Sequence, residues 1–237
     1  MINRTLGNQH ISARFNAELE AIKTDLLEMG GKVENQIELA SKALINGDGG
    51  PAEEAVAIDR EINRMEKDID EQCIRILARR QPAASDLRLI ISIAKVTTDL
   101  ERIGDEASRI ARVALKLAGE DLNSPAVVCL GRISSHVSGM LRQALDAFAR
   151  LSVDAAVRVV LSDKDIDEDY AAGLRELRAA MQSSPEYVDQ YLERIWALRS
   201  FERIGDHASN IAEQVVYLAR GVDIRHTDNE GIKSLLN

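Results

Sequence analysis

Aromatic residues make up only 3% of this 237-residue chain, which also holds four prolines, two cysteines and one tryptophan. So little proline and aromatic content favours helices over a sheet-built fold. Cys73 and Cys129 have neither CxxC nor Cys/His spacing, which excludes the usual thiolate metal and redox motifs. They read as small buried residues of a protein kept in a reducing compartment. There is no excess of positive charge either: the formal net charge of -9 argues against a binder of phosphate backbones, so nucleic acid is not an expected partner. No apolar run approaches the ~18 residues that cross a bilayer, and the opening MINRTLGNQHISARFNAELE lacks a signal-peptide core. A cytoplasmic location is expected. No Ser/His/Asp or Cys/His nucleophile arrangement can be assembled, and "NGDGG" lacks the Lys-Ser/Thr of a phosphate loop and reads as a turn.

What the chain does contain is a repetition. "ERIGD" occurs at Glu101 to Asp105 and again at Glu202 to Asp206, an offset of 101 residues. Around it, DLERIGDEASRIARVALKLA and SFERIGDHASNIAEQVVYLA keep Ala107/Ala208, Ser108/Ser209, Ile110/Ile211 and Ala111/Ala212 in register. Solenoid repeats run roughly 20 to 50 residues, so a period this long points to a duplicated domain. The expected units are residues 1–120 and 121–237.

Breakers such as "INGDGGP", "RRQPAASD", "AGEDLNSP", "LSVD" and "QSSPE" divide the chain into six long segments without strand-like alternation. These predict helices over 7–46, 51–80, 84–119, 124–150, 154–183 and 185–220, with Pro51, Pro125 and Pro185 in first turns and Ser124, Asp154 and Ser184 as caps. In the third segment Leu89, Ile93, Val96, Leu100, Ile103, Ala107, Ile110, Ala114 and Leu117 alternate steps of four and three, the seam of an antiparallel bundle. Ala197, Phe201, Ile204, Ala208, Ile211, Val215 and Leu218 repeat it in the sixth. Three striped helices per half predict an all-α fold of two tandem three-helix bundles.

With Leu100 and Ile103 in the seam, the 100° step of a helix carries Glu101 and Asp105 away from the bundle axis. Two like charges one turn apart cost a few tenths of a kcal/mol, so the duplicated pair is mildly unfavourable without a cation. Salt-bridged surface decoration, through Arg102 or Arg109, is the bland alternative. Gly104 and Gly205 each cost their helix roughly 1 kcal/mol against alanine, leaving two explanations open: a tight helix crossing or room for an ion cluster. "DREIN" and "DKDID" place further acids on the preceding helix of each half. Facing helices would group Asp59, Asn63, Glu101 and Asp105, and likewise Asp163, Asp167, Glu202 and Asp206. Such oxygen sets suit magnesium, manganese or iron(II), whereas zinc prefers His or Cys. His207 and Asn210 could extend the second site, while Arg109 in the matching place would weaken the first. His10, His136 and His226 read as surface or capping residues, and Trp196 as core or interface.

These repeated motifs resemble the PhoU family of bacterial phosphate-transport accessory and regulatory proteins, and the resemblance spans nearly the whole chain. It implies two three-helix bundles, often dimeric, with multinuclear iron, zinc, manganese or magnesium sites. The ligands it implies are Asp59, Asn63, Glu101 and Asp105 in one half, and Asp163, Asp167, Glu202, Asp206 and Asn210 in the other. It further implies a negative regulator of the phosphate-starvation response that bridges a phosphate ABC transporter, through its ATPase subunit, and a membrane sensor histidine kinase. Membrane contact would come through those partners. No catalytic residue is expected. The alternative is a carboxylate-bridged metalloenzyme, since helical bundles host such sites, but none of the four histidines follows a glutamate at Glu-x-x-His spacing.

Overall fold

The computed structural model describes residues 3–82, 84–119, 125–225 and 227–234. Six long helices carry the fold: α1 (Asn3–Asn46), α2 (Gly49–Arg80), α3 (Ala84–Lys116), α4 (Pro125–Arg150), α5 (Val153–Ser183) and α6 (Val188–Arg220). A 3-10 turn over Pro185–Tyr187 leads into α6, and a short α7 (Asn229–Lys233) packs back on α5. The helix count expected from the breakers is met, with α7 added. Some caps move: Ser152 rather than Asp154 caps α5, its Oγ accepting from the Ala155 amide, and Ser184 makes no side-chain cap. Asp48 accepts from the Gly50 amide and starts α2, so the turn expected of "NGDGG" is confined to Gly47 and Asp48. Ser124 lies outside the described residues.

Within each triplet every helix packs on the other two, which gives two three-helix bundles. The four-three seams are the reason. From Ile93 to Ala114 every seam position of α3 is buried, and so is Leu117 just beyond it, as is every one of α6 from Ala197 to Val215. Cys73 fills the place between Ile69 and Ile76 in the seam of α2, and burial pushes its thiol up to about 11, which keeps it protonated and unreactive. The Cys129 thiol is likewise pushed up to about 11 by burial.

The two bundles meet mainly along α3 and α6, which pack on each other more extensively than either packs on any single helix of its own bundle. The pairing is antiparallel: Lys95 lies over the Tyr217 ring, Asp99 meets His207, Glu106 meets Ser200, and Lys116 meets Glu193. Among the described residues no helix is long and apolar enough to cross a membrane.

Candidate metal centres

The helices bring the predicted acids together in two clusters. Between α2 and α3, Asp59, Glu101 and Asp105 act on one another: burial and then the negative charge of Asp105 push both the Asp59 and Glu101 carboxyls above the usual range. Arg112 partly offsets the field at Asp59, and Arg102 Nε stands 3.7 Å from Glu101 Oε2. Asn63, one turn beyond Asp59, is half-buried on the same face of α2. Glu66, not among the acids expected here, joins them: its carboxyl is raised by burial and then by Asp70 and Asp105. Its signal was available, because Asp59, Asn63, Glu66 and Asp70 run at steps of four, three and four.

Between α5 and α6, burial and the charges of Asp206 and Asp167 push Asp163 up to about 6. Glu202 and Asp206 are raised too, each by burial first, although Arg199 lowers both and His207 lowers Asp206. Arg199 Nη1 donates to Glu202 Oε1 at 2.7 Å, while Glu202 Oε2 is buried without any hydrogen-bond partner. In the position matching Glu66 of α2, allowing the offset of 104 that relates Asp59 to Asp163, stands Tyr170, and Arg199 lies 5.8 Å from its ring centroid.

Two expectations change, and one open choice closes. Glu101 and Glu202 do not stand clear of the bundle: only 12% of the Glu202 side chain is exposed, because the neighbouring helix covers the flank of the motif. The glycines are explained by that approach. A Cβ on Gly205 would lie 3.0 Å from Ile166 Cγ2, and one on Gly104 would lie 3.3 Å from Ile62 Cδ1. Helix crossing, not ion space, requires them. His207 and Asn210 are drawn away from the second cluster. Both contact Asp99 Oδ1 of α3, the imidazole Nδ1 at 2.9 Å and the Asn210 amide at 3.2 Å.

Arg109 also leaves its cluster, since its Nη1 donates to Glu106 Oε1 at 2.5 Å. The cations near the first cluster are Arg102, beside Glu101, and Arg112, whose charge acts on Asp59. Of the remaining histidines, His136 Nδ1 lies 2.6 Å from Asp169 Oδ2 on α5, a cross-helix pair rather than a cap. The side chain of His10 and the whole of His226 lie outside the described residues.

The donor chemistry fits a hard cation. Carboxylates pressed together in partly dry grooves repel one another, and an ion would relieve that repulsion and satisfy the orphaned Glu202 oxygen. Among the described residues, however, no three His, Cys, Asp or Glu side chains are grouped so as to hold an ion. Coordination would therefore be open and completed by water, which suits magnesium or manganese better than zinc.

Comparison with known proteins agrees with this architecture. The PhoU domain family model matches residues 26–114 and 130–215. The chain is 54% identical over 226 residues to the phosphate-specific transport system accessory protein PhoU homolog of Pseudomonas aeruginosa, covering 95% of this chain and 93% of that protein. It is 42% identical over 229 residues to the phosphate-specific transport system accessory protein PhoU of Escherichia coli K12, covering 97% and 95%. The crystal structure of PhoU from Pseudomonas aeruginosa matches with a TM-score of 0.85 at 56% identity, over 88% of this chain and 100% of that one. The phosphate transport system regulatory protein PhoU from Streptococcus pneumoniae matches at 0.81 and 30% identity, over 88% and 98%.

Proposed function

The chain belongs to the PhoU family, and on that premise we propose that it is a metal-binding regulatory adaptor of phosphate uptake and signalling. Its relatives carry accessory and regulatory names in phosphate transport, which supports an accessory role in the phosphate transport system here. In finer detail, the protein holds divalent cations on its two carboxylate clusters as a cytoplasmic homodimer. It engages the ATPase subunit of a phosphate transporter and a sensor histidine kinase, and restrains the starvation response while phosphate is ample.

The observation that carries the metal half of this proposal is the second cluster, where Glu202 Oε2 is buried and unpartnered beside carboxyls raised by burial and by mutual repulsion. A hard cation bound there would supply concentrated charge with exchangeable coordination positions for a partner's oxygens. The chain's own residues do the rest. Asp163, Asp167, Glu202 and Asp206 offer the oxygens that, with water completing the shell, would hold the ion, Arg199 fixes one oxygen of Glu202, and the Gly205–Ile166 contact sets the approach of α5 to α6. The metalloenzyme alternative would need a Glu-x-x-His pair, and the relatives are not named as enzymes.

The test has two arms. Deleting the gene in the native host should leave phosphate-scavenging genes switched on in rich phosphate, and normal repression would refute the regulator. Metal analysis of the purified protein should find divalent ions, and a metal-free protein that takes up none on soaking would refute the metal role while sparing the regulator.

A further inference from the structure

The single tryptophan of the chain stands on the surface: Trp196 is 67% exposed. It ends a row on α6, with Val188, Leu192 and Trp196 exposed at steps of four, so their side chains share one face. A contiguous exposed apolar row marks a contact surface more than scattered residues do. Beside it runs a groove with a cavity volume of about 610 Å³, between α6 and the C-terminal half of α3. Arg109, Arg112 and Lys116 line one wall and Arg199 and Arg203 the other, against Glu106 and Glu193 in the lining and Glu202, which holds Arg199 from below. On a chain of net charge -9 this is a local reversal of sign.

The arginines are held in place from beneath. Glu106, whose side chain is 4% exposed, takes Arg109 Nη1 on one side and Arg203 Nη1 at 2.8 Å on the other, and accepts from Ser200 Oγ at 2.8 Å. Both guanidiniums remain well exposed, and each has donors to spare. Fixing them in advance lowers the entropy lost when an anion binds.

Duplication supplies an internal control. At the opposite end of the α3–α6 seam, Lys95 stands where Trp196 would be, Thr98 for Arg199, Asn210 for Arg109 and Glu213 for Arg112. There Lys95 covers the Tyr217 ring and Asp99 takes His207 and Asn210, so the chain fills the place with its own pairings. Arg203 keeps a counterpart in Arg102, but Arg109, Arg112 and Arg199 have none, so the strongly basic groove beside an exposed indole stands at one end and the fold does not require it.

We propose that this groove docks an acidic amphipathic helix of a partner protein. The row from Val188 to Arg203 is about 22 Å long at 1.5 Å per residue, room for a helix of about four turns. The partner's apolar side chains would meet Leu192 and Trp196, and its carboxylates the arginines on both walls. A concave trough between two helices takes a helix well and a planar bilayer poorly. The proposal rests on the adaptor reading and assigns it a surface.

The experiment places p-benzoylphenylalanine at position 196 of the full chain in the native host, with irradiation and mapping of the cross-linked peptide. The expected product joins position 196 to one partner segment with acidic residues flanking an apolar helical stripe. A synthetic peptide of that segment should shift Trp196 fluorescence in the unmodified protein. Arg109→Gln with Lys116→Gln should weaken this binding at least tenfold and leave bound metal unchanged. No cross-link, or a cross-link to lipid, to a second copy of the chain or to a segment without acidic residues, overturns the proposal. So does a peptide affinity indifferent to the double substitution. The deletion phenotype is read separately, so loss of the groove and loss of the regulator are told apart.

Discussion

His207 on α6 lies 2.9 Å from Asp99 on α3, and the residues that match them in the other repeat, Glu106 and Ser200, also meet across the same two helices. Two related helices packed antiparallel create this local dyad, because each repeat offers the same two positions to its counterpart. The chemistry at the two ends differs, a carboxylate with imidazole and amide at one and a hydroxyl with carboxylate at the other, but the geometry is shared. Residues with the sequence signature of extra metal ligands are spent on joining the bundles.

Asp99→Ala should therefore destabilise the protein although Asp99 belongs to neither carboxylate cluster. It leaves the His207 ring and the Asn210 amide without their shared acceptor, a loss of about 1–2 kcal/mol. Urea denaturation measures it, and an unchanged midpoint would show that the seam gains nothing from these bonds.

Replacing Glu202 and Asp206 together with Ala should abolish metal uptake by the second cluster while far-ultraviolet circular dichroism stays close to wild type. Neither residue contributes to the buried apolar seam, which runs through Phe201, Ile204 and Ala208. Metal content unchanged in this variant would dismiss the α5–α6 cluster as a binding site.

The pH dependence has a definite sign. Asp163 titrates near 6 in the folded protein against 3.8 for an unperturbed Asp, so the folded state holds the extra proton between those values. Its contribution is most favourable below about pH 4 and is lost as pH rises through about 6. In metal-free protein, Asp163→Asn should raise stability at pH 7.5 by on the order of 0.5 kcal/mol, a figure discounted for solvent screening. The gain should shrink to nothing by pH 4. Thermal melts of both proteins across that range check it, and a gain that grows on acidification would refute the sign.

Gly205→Ala sets two effects against each other. Alanine favours a helix interior by roughly 1 kcal/mol, but its Cβ would press on Ile166 Cγ2, part of a stiff β-branched side chain in a packed seam. Overpacking of this kind costs about 1–3 kcal/mol, so net destabilisation is expected. Adding Ile166→Ala removes the obstructing carbons, and a double-mutant cycle should show coupling of about 1 kcal/mol or more. Additive effects would mean that the two helices adjust freely.

By itself the sequence determined the helical class, the duplication, the six long helices and the pairing of acids within each half. These follow from periodicity, and the four-three spacing of residues such as Leu100, Ile103 and Ala107 leaves few ways to bury a stripe. Only the tertiary structure decided how the repeats face each other. That choice turned His207, Asn210 and Arg109 from the clusters to the α3–α6 seam, and set Trp196 on a basic groove instead of in a core. It also gave Gly104 and Gly205 to helix crossing, since the distance between two helices is fixed by the side chains of both and no local spacing in either records it.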